Sequence, residues 1–325
     1  MKPLYRNYLE PEYGEPSPEV IIDVPQKMNL ENPAAWRHKT HLETIAQLTN
    51  LMKPCFCYEP LMSISIVNTA IKKENHDIPL RVYLPQGEGP FPVMVFYHGG
   101  GWSMNNLDVY DYVPRYFAKY GNILVIAPDY RLAPEHKYPQ GFDDAYDTLL
   151  WAEAHAAEYG GSMESLTVCG DSAGGNFAAA VSLRARDEQG PTIHKQFLIY
   201  PGTVLNPGYR SKSELRYGDG GYFLEINSEE GLCEWYLEDA AQALEPYASP
   251  LRGELSGLPP ACFISAECDP ILDQGLMYAA KLEDAGVEVE YHLVKGMIHA
   301  FINRPYQKTF ESFDTIIRAT PPVTK

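Results

Sequence analysis

Long apolar runs are absent from this chain of 325 residues, and so is any excess of positive charge. No uninterrupted apolar stretch approaches the ~20 residues that a membrane-spanning helix needs. The N-terminal residues also lack the apolar segment of a secretory signal. The formal net charge of −17 disfavours nucleic acid as a partner, because binding to phosphate backbones depends on clustered Lys and Arg. The sequence therefore predicts a folded protein that binds neither membranes nor nucleic acid.

Six cysteines are scattered along the chain without the paired spacing that is typical of zinc ligands or redox motifs. Two of them, Cys169 and Cys262, fall in apolar runs, where cysteine usually serves as a small core residue. We therefore expect reduced thiols and a cytoplasmic location. No set of His, Cys and carboxylate residues shows metal-ligand spacing, so we expect no metal and no cofactor. A homodimer is compatible with the sequence, which does not fix the oligomeric state.

Short apolar runs bounded by Gly, Pro or Asp alternate with helical stretches over most of the chain. The runs expected to form buried strands are residues 93–97, 123–127, 166–169, 197–200 and 262–266. The stretches expected to form helices are residues 142–158, 172–186 and 272–285. This alternation predicts an α/β fold with a mostly parallel central sheet flanked by helices. Period-two patterns also predict an antiparallel hairpin of residues 63–67 and 80–84, and an edge strand over residues 287–294.

The alternation is interrupted between residues 200 and 260, a gap that is too long for an ordinary crossover. Residues 227–230 resemble a capped helix start, and apolar residues follow at helical spacing as far as Leu244. Eight acidic residues and no Lys or Arg lie between Asp219 and Glu245. We expect a cap insertion at about residues 203–247. We also expect an N-terminal cap segment over residues 1–53, with a helix in its second half, and a main domain over residues 54–325.

A serine stands at the turn between a predicted strand and a predicted helix. Residues 168–176 have the sequence Val-Cys-Gly-Asp-Ser-Ala-Gly-Gly-Asn. Gly170 and Gly174 leave room two positions before and after Ser172, where larger side chains would collide with the crossing strand and helix. This pattern predicts an exposed nucleophile. The alternative is that Ser172 only caps the N-terminus of the helix.

A serine hydroxyl is a weak nucleophile at neutral pH, so it requires a base and a third group that fixes the tautomer of that base. His299 follows the last predicted strand, and Asp269 follows the strand over residues 262–266. Both are expected at the carboxyl edge of the sheet, where Ser172 also lies. Glu267 and Asp273 are alternative carboxylates. We prefer Asp269, because Glu267 would point away within the strand and Asp273 falls inside the next helix.

Three consecutive glycines follow the strand over residues 93–97, in the sequence His-Gly-Gly-Gly-Trp at residues 98–102. Glycines allow the backbone to turn sharply and to approach a substrate carbonyl closely. We expect the N–H groups of Gly99, Gly100 and Ala173 to stabilise a developing oxyanion. His98 is expected to fix this loop and not to react.

In combination these motifs resemble those of the hormone-sensitive-lipase-like esterases, which are alpha/beta hydrolases with a His-Gly-Gly-Gly signature. The matching segments are residues 98–102, 129–135, 170–175, 249–251, 269–270 and His299. The resemblance implies an alpha/beta-hydrolase fold with a helical cap. It also implies a Ser172–His299–Asp269 triad and an oxyanion hole of Gly99, Gly100 and Ala173. Residues 271–274 depart from the pattern: they are Ile-Leu-Asp-Gln where relatives often have Leu-Arg-Asp-Glu.

We therefore expect a serine carboxylesterase that acts on short-chain or small neutral esters through an acyl-enzyme. Trp102, Tyr222 and Trp235 are expected to line a compact aromatic pocket, and the acidic insertion is expected to disfavour anionic esters. The triad does not choose the leaving group, so an amidase or a lactone hydrolase is an alternative. A small-molecule binding protein that has lost catalysis is a further alternative, although no triad member is missing.

Overall fold

The computed structural model describes residues 13–21, 31–205, 208, 210–225 and 234–323. Within these residues one eight-stranded sheet runs through the molecule. Its strands are β1 (Ser65–Lys72), β2 (Asp77–Leu84), β3 (Phe91–Tyr97), β4 (Leu124–Pro128), β5 (Gly161–Asp171), β6 (Lys195–Ile199), β7 (Ala261–Cys268) and β8 (Val289–Ile298). The order across the sheet is β1-β2-β4-β3-β5-β6-β7-β8.

The first two strands differ from the rest in direction. β1 and β2 form an antiparallel hairpin in which Ser65 lies opposite Leu84, and β2 also pairs antiparallel with β4. All pairs from β4 to β8 are parallel. The predicted hairpin, the parallel sheet and the position of β8 at an edge are therefore confirmed.

Helices cover both faces of the sheet. They are α1 (Pro33–Met52), α2 (Tyr58–Met62), α3 (Tyr112–Tyr120), α4 (Gln140–His155), α5 (Ala173–Asp187), α6 (Lys212–Tyr217), α7 (Leu272–Asp284) and α8 (Gln307–Ala319). Apolar residues of α4, α5 and α7 pack on one face together with Val95 of β3. Those of α2, α3, α8 and the end of α1 pack on the other face, together with Phe96. Adjacent residues of a strand face opposite sides, so a central strand in such a sandwich is apolar throughout.

The parallel register brings the carboxyl ends of four strands to one edge of the sheet. Tyr97 at the end of β3 lies opposite Gly170 of β5, and Cys268 at the end of β7 lies opposite Ile298 at the end of β8. The segments that follow β3, β5, β7 and β8 therefore begin next to one another. These segments carry the residues that the sequence singled out.

The predicted helix of the insertion is partly wrong. Its expected start at residues 227–230 lies outside the described residues, and residues 234–236 are helical. The helix ends there, and a separate 3-10 helix runs over Ala240–Leu244. The Asp239 carboxylate accepts the N–H of Ala241 at 2.8 Å, so it caps a new helix start in the middle of the predicted one.

The limits proposed for the cap, residues 1–53 and about 203–247, remain predictions. Within them, residues 13–21 lie against α6: the Tyr217 hydroxyl donates to the carbonyl oxygen of Gly14 at 2.8 Å. In the part of the chain that the structure describes, no helix has the length and apolar character needed to cross a lipid bilayer.

Candidate active site

Ser172 occupies a sharp turn between β5 and α5, with a φ of 54° and a ψ of −117°. A Cβ atom at Gly170 would lie 2.2 Å from the carbonyl oxygen of Gly174, and one at Gly174 would lie 2.0 Å from the carbonyl oxygen of Tyr97. Both positions therefore accept only glycine in this geometry. Although Ser172 precedes the first helical residue, its side chain makes no capping hydrogen bond. The capping alternative therefore has no support in the geometry.

Three side chains form a hydrogen-bonded chain at this edge of the sheet. The Ser172 Oγ lies 2.8 Å from Nε2 of His299, and Nδ1 of His299 lies 2.7 Å from Oδ2 of Asp269. His299 and Asp269 are buried, whereas Ser172 is partly accessible. The second carboxylate oxygen, Oδ1 of Asp269, accepts the N–H of Ile271 at 2.9 Å. This arrangement holds the imidazole between a hydroxyl and a fixed carboxylate.

The two alternative carboxylates have other partners. Glu267 accepts hydrogen bonds from the Lys295 ammonium at 2.6 Å and from the N–H of Gly296 at 2.8 Å. Asp273 accepts the hydroxyl of Tyr13 at 3.1 Å and the N–H of Ser213 at 3.0 Å. Of these three carboxylates, Asp269 is the one that contacts the His299 ring.

The N–H of Gly99 has a different partner from the one that the sequence predicts. It donates to Oδ1 of Asp171 at 2.8 Å, so it is not free to donate to an oxyanion. The prediction that Gly99 donates to an oxyanion is therefore wrong in this geometry, because its single backbone N–H already donates to a carboxylate. Within the described parts of the chain, the N–H groups of Gly100, Gly101 and Ala173 have no hydrogen-bond partner.

Known proteins that are similar to this chain in sequence or structure occur in several organisms. A carboxylesterase of Mycobacterium tuberculosis is 41% identical over 232 residues, which cover 70% of this chain and 72% of that protein. An arylesterase of Saccharolobus solfataricus is 37% identical over 237 residues, which cover 72% of this chain and 76% of that protein. The solved structure of a hyperthermophilic esterase from Pyrobaculum calidifontis superposes with a TM-score of 0.81 at 32% identity, covering 89% of this chain and 92% of that one. The profile of the family described as alpha/beta hydrolase fold matches residues 94–303.

The chain belongs to the alpha/beta-hydrolase family. The predicted fold and the resemblance to the hormone-sensitive-lipase-like esterases are confirmed by these matches. The matched range contains the glycine loop, the serine turn and the other two residues of the hydrogen-bonded chain.

Asp171 is a site residue of this hydrolase that the sequence analysis missed. Its carboxylate accepts the hydroxyls of Tyr110 at 2.9 Å and Tyr200 at 3.3 Å, in addition to the N–H of Gly99. Burial raises the pKa of Asp171 to about 6, against the opposing effect of these hydrogen bonds. A charged residue at the end of an otherwise apolar strand is the sequence signal by which Asp171 could have been found.

The aromatic residues near the site differ in part from the expected set. Trp102 stacks on Tyr236 with ring centres 4.6 Å apart, and both rings are buried. Trp235, which the sequence predicts to line the pocket with Trp102, is half-buried and adjacent to Tyr236 in the chain. Tyr222 packs edge-on against the buried Tyr217 at 4.8 Å and extends towards residues 13–21.

Phe223, which follows Tyr222, lies beside the His299 ring. Its ring centre is 6.2 Å from that of His299, and its φ of 77° turns the chain at this point. Tyr200 lies on the imidazole as well, with ring centres 4.7 Å apart. Sequence reasoning did not find either contact, because both depend on how loops from separate strands fold over the sheet edge.

One group of side chains away from Ser172, His299 and Asp269 has the chemical character of a metal-ligand set. The potential ligand atoms of Cys262, Glu290 and His292 lie within 4.8 Å of one another across β7 and β8. The Glu290 carboxylate is already paired with the Lys195 ammonium at 3.1 Å and with the His292 ring at 2.8 Å. The ammonium neutralises the carboxylate and opposes a cation, so we interpret the group as an ion-pair cluster. The expectation that the protein needs no metal remains a prediction.

Proposed function

We propose that this protein is a serine carboxylesterase in which Ser172, His299 and Asp269 act as a catalytic triad. The observation that supports this assignment is the hydrogen-bonded chain from the Ser172 hydroxyl through the imidazole to the buried carboxylate, at 2.8 and 2.7 Å. The Asp269 carboxylate fixes the His299 tautomer with its proton on Nδ1, which leaves Nε2 as the acceptor that the hydroxyl needs.

The reaction proceeds in two halves. Ser172 Oγ attacks the ester carbonyl while Nε2 of His299 accepts the hydroxyl proton, and Asp269 stabilises the imidazolium that forms. The tetrahedral intermediate collapses when His299 returns this proton to the leaving alcohol, which leaves the acyl group on Ser172. A water molecule then attacks the acyl-enzyme with His299 again as the base, and the acid and free Ser172 are released.

The negative charge on the tetrahedral oxygen needs donors that point at it. We assign this role to the N–H groups of Gly100 and Ala173, and to that of Gly101 in place of Gly99. All three belong to the segments that flank Ser172 at the sheet edge, and none is used by another acceptor in the described chain. Loss of one such donor typically raises the barrier by about 2.7 to 4 kcal/mol.

The substrate class follows from the surroundings of the triad. The rings of Tyr200 and Phe223 lie beside His299, with ring centres 4.7 and 6.2 Å from that of the imidazole. Such surroundings favour short acyl or small aromatic groups over long flexible chains. The acidic residues between Asp219 and Glu245 disfavour anionic esters, by an effect that fades within a Debye length of about 8 Å at physiological salt.

The names of the relatives agree with this proposal. The M. tuberculosis relative is a carboxylesterase and the S. solfataricus relative is an arylesterase. These relatives, at 41% and 37% identity, support a place among the carboxylic ester hydrolases, while the acyl and alcohol preferences rest on the contacts described above. A cytoplasmic location, assembly as a homodimer and the exclusion of nucleic acid as a partner remain proposals from the sequence.

The test is hydrolysis of a series of p-nitrophenyl esters of increasing acyl length by wild type and by Ser172→Ala. We expect the highest kcat/KM with short acyl chains and no turnover above background in a folded Ser172→Ala protein. Unchanged activity of that variant would exclude the proposed mechanism. A matched p-nitroanilide and a simple lactone test the amidase and lactone-hydrolase alternatives, for which turnover should be much weaker.

A second series separates charge from size. Neutral and carboxylate-bearing esters of equal length are compared at low and high salt. We expect the neutral ester to be preferred at low salt and the preference to shrink at high salt. Efficient hydrolysis of long acyl chains, or a salt-insensitive preference for the anionic ester, would contradict the proposed substrate class.

A further inference from the structure

Two side chains of α1 form hydrogen bonds with the backbone of the loop that follows β3. The backbone N–H of Asn105 donates to Nε2 of His41 at 2.9 Å. The guanidinium of Arg37 donates to the carbonyl oxygen of Ser103 at 3.3 Å. Arg37 and His41 lie one turn apart on α1, so a single helix supplies partners for two backbone groups of this loop.

The loop has a backbone that needs such support. The angle φ is 127° at Gly100 and 58° at both Gly101 and Trp102, and it returns to 74° at Asn105. Residues with a Cβ atom rarely adopt positive φ, and they keep it only where the surrounding contacts fix it. Trp102 and Asn105 are two such residues. The contacts from α1 therefore act on a segment that would otherwise relax.

Two sets of hydrogen bonds connect these contacts with the proposed oxyanion donors. The side-chain amide of Asn105 donates to the carbonyl oxygen of Gly99 at 3.0 Å, directly before Gly100. Arg37 also donates to the carbonyl oxygen of Ala133 at 3.2 Å, and the N–H of Ala133 donates to the carbonyl oxygen of Trp102 at 2.9 Å. Both ends of the glycine run are thereby connected to α1.

The chemistry of His41 suits this role. Its Nε2 accepts a backbone N–H, which requires an unprotonated nitrogen at that position. Burial, and then the nearby charge of Arg37, lower the pKa of His41 to about 4. The ring is therefore neutral at the pH at which a serine hydrolase needs a neutral His299, and the hydrogen bond is retained during turnover.

We propose that Arg37 and His41 are positioning residues for the oxyanion donors in the loop of residues 99–105. Helix α1 would then contribute to catalysis as well as to the proposed cap. This inference rests on the proposed function, since it assigns a role in stabilising the oxyanion of that reaction. Neither Arg37 nor His41 belongs to the proposed triad or supplies a proposed oxyanion donor; their hydrogen bonds include those to Ser103, Asn105 and Ala133. They act through the backbone of residues 99–105.

The test compares two substitutions at His41 with a control on the same helix. His41→Leu removes the acceptor, whereas His41→Gln keeps an oxygen acceptor on a flexible side chain. His38→Ala changes an exposed histidine of α1. With p-nitrophenyl butyrate we expect His41→Leu to lower kcat by about tenfold, a part of the ~100-fold or greater effect of losing a whole donor, with KM changed by less than about twofold. His41→Gln should recover most of kcat, and His38→Ala should match wild type.

Two further readouts separate positioning from loss of folded protein. Labelling with a fluorophosphonate counts the sites with a reactive Ser172, so that kcat is expressed per labelled site. Binding of a boronic acid, which forms a tetrahedral adduct, should weaken in His41→Leu in proportion to kcat. If His41→Leu does not fold, Arg37→Lys takes its place in the test. This variant keeps the charge but not the forked donors, and we expect the same fall in kcat and in boronate affinity.

The proposal is overturned if His41→Leu and Arg37→Lys keep the wild-type kcat per labelled site. It is equally overturned if activity falls only in step with the labelled fraction while boronate affinity stays unchanged. Either result leaves the proposed function intact, because wild type would still hydrolyse the ester. A wild-type protein that neither hydrolyses the ester nor reacts at Ser172 would instead contradict the proposed function itself.

Discussion

The carboxylate of Asp171 accepts the N–H of Gly99 at 2.8 Å, so the residue directly before the nucleophile holds the loop that follows β3. The same carboxylate accepts the hydroxyl of Tyr110 at 2.9 Å, within a fully buried environment. The serine turn and the glycine loop are therefore fixed to each other by a single side chain. Any change in the charge or shape of Asp171 acts on both parts of the site.

The first prediction concerns the pH dependence of stability. Burial raises the pKa of Asp171 from 3.8 to about 6, so between these values the native protein binds a proton that the unfolded chain releases. The stability that this proton contributes is fully present below the unfolded pKa and is lost as the pH rises towards the folded one. Asp171→Asn cannot titrate. As the pH rises across this range, the free energy of unfolding of Asp171→Asn should therefore increase relative to that of wild type, by up to about 1.4 kcal/mol per pH unit.

Urea unfolding of both proteins at about pH 4.5 and about pH 6.5 measures this difference. A free-energy difference between wild type and Asp171→Asn that is the same at both pH values would show that Asp171 titrates normally. Near-identical circular dichroism spectra of the two proteins serve as the control for an intact fold.

The second prediction separates the carboxylates around His299. Asp269→Asn keeps the shape of the side chain but no longer selects the tautomer with a proton on Nδ1, so kcat/KM should fall by about 10⁴-fold. Asp273→Asn changes a carboxylate that contacts Tyr13 and Ser213, and it should retain activity within a few-fold of wild type. Steady-state kinetics with a p-nitrophenyl ester test both. A larger loss in Asp273→Asn than in Asp269→Asn would reassign the third triad member.

The third prediction concerns two glycines at the start of helices. A Cβ atom at Gly174 would lie 2.0 Å from the carbonyl oxygen of Tyr97, whereas one at Gly275 would have its nearest neighbour at 3.8 Å. Gly174→Ala should destabilise the protein by about 1–3 kcal/mol or more and abolish ester hydrolysis. Gly275→Ala should be neutral or stabilise it by about 0.5–1 kcal/mol, because alanine favours the helix.

Thermal unfolding and ester hydrolysis of these two variants provide the measurement. An active and stable Gly174→Ala protein would mean that the turn around Ser172 is not as tight as described. A strongly destabilised Gly275→Ala protein would mean that the packing of α7 leaves no room for one methyl group.

Much of this site could be predicted from the sequence because its residues directly follow apolar strands. Ser172, Asp269 and His299 come after β5, β7 and β8, and parallel strands end at the same edge whatever the details of packing. The glycine loop after β3 follows from the same argument. Local patterns were therefore sufficient to bring the triad together.

Other features depend on contacts between segments that are distant in sequence. No local pattern reveals that Gly99 donates to Asp171, or that His41 of α1 accepts the N–H of Asn105. Helical periodicity favoured neither Trp235 nor Tyr236 as the ring against Trp102, and the break at Asp239 depends on a side-chain cap. Such contacts are selected by packing in three dimensions, which periodicity does not encode.

The fourth prediction concerns metals. The proposed mechanism draws its nucleophile from Ser172 and its base from His299, so it has no step for a metal ion. Dialysis against EDTA should leave kcat and KM unchanged. Loss of activity that a divalent ion restores would contradict the mechanism. A variant such as His292→Ala would then show whether the Cys262, Glu290 and His292 cluster is responsible.

The central claim is that catalysis passes through an acyl group on Ser172, and the most direct measurement is the mass of the protein during turnover. Wild type mixed rapidly with p-nitrophenyl butyrate and quenched in acid should show a fraction heavier by one butyryl group. Peptide mapping should place that group on Ser172, and it should be absent from Ser172→Ala. Steady release of p-nitrophenol with no adduct at any quench time, or an adduct on another residue that turns over at the catalytic rate, would contradict the account.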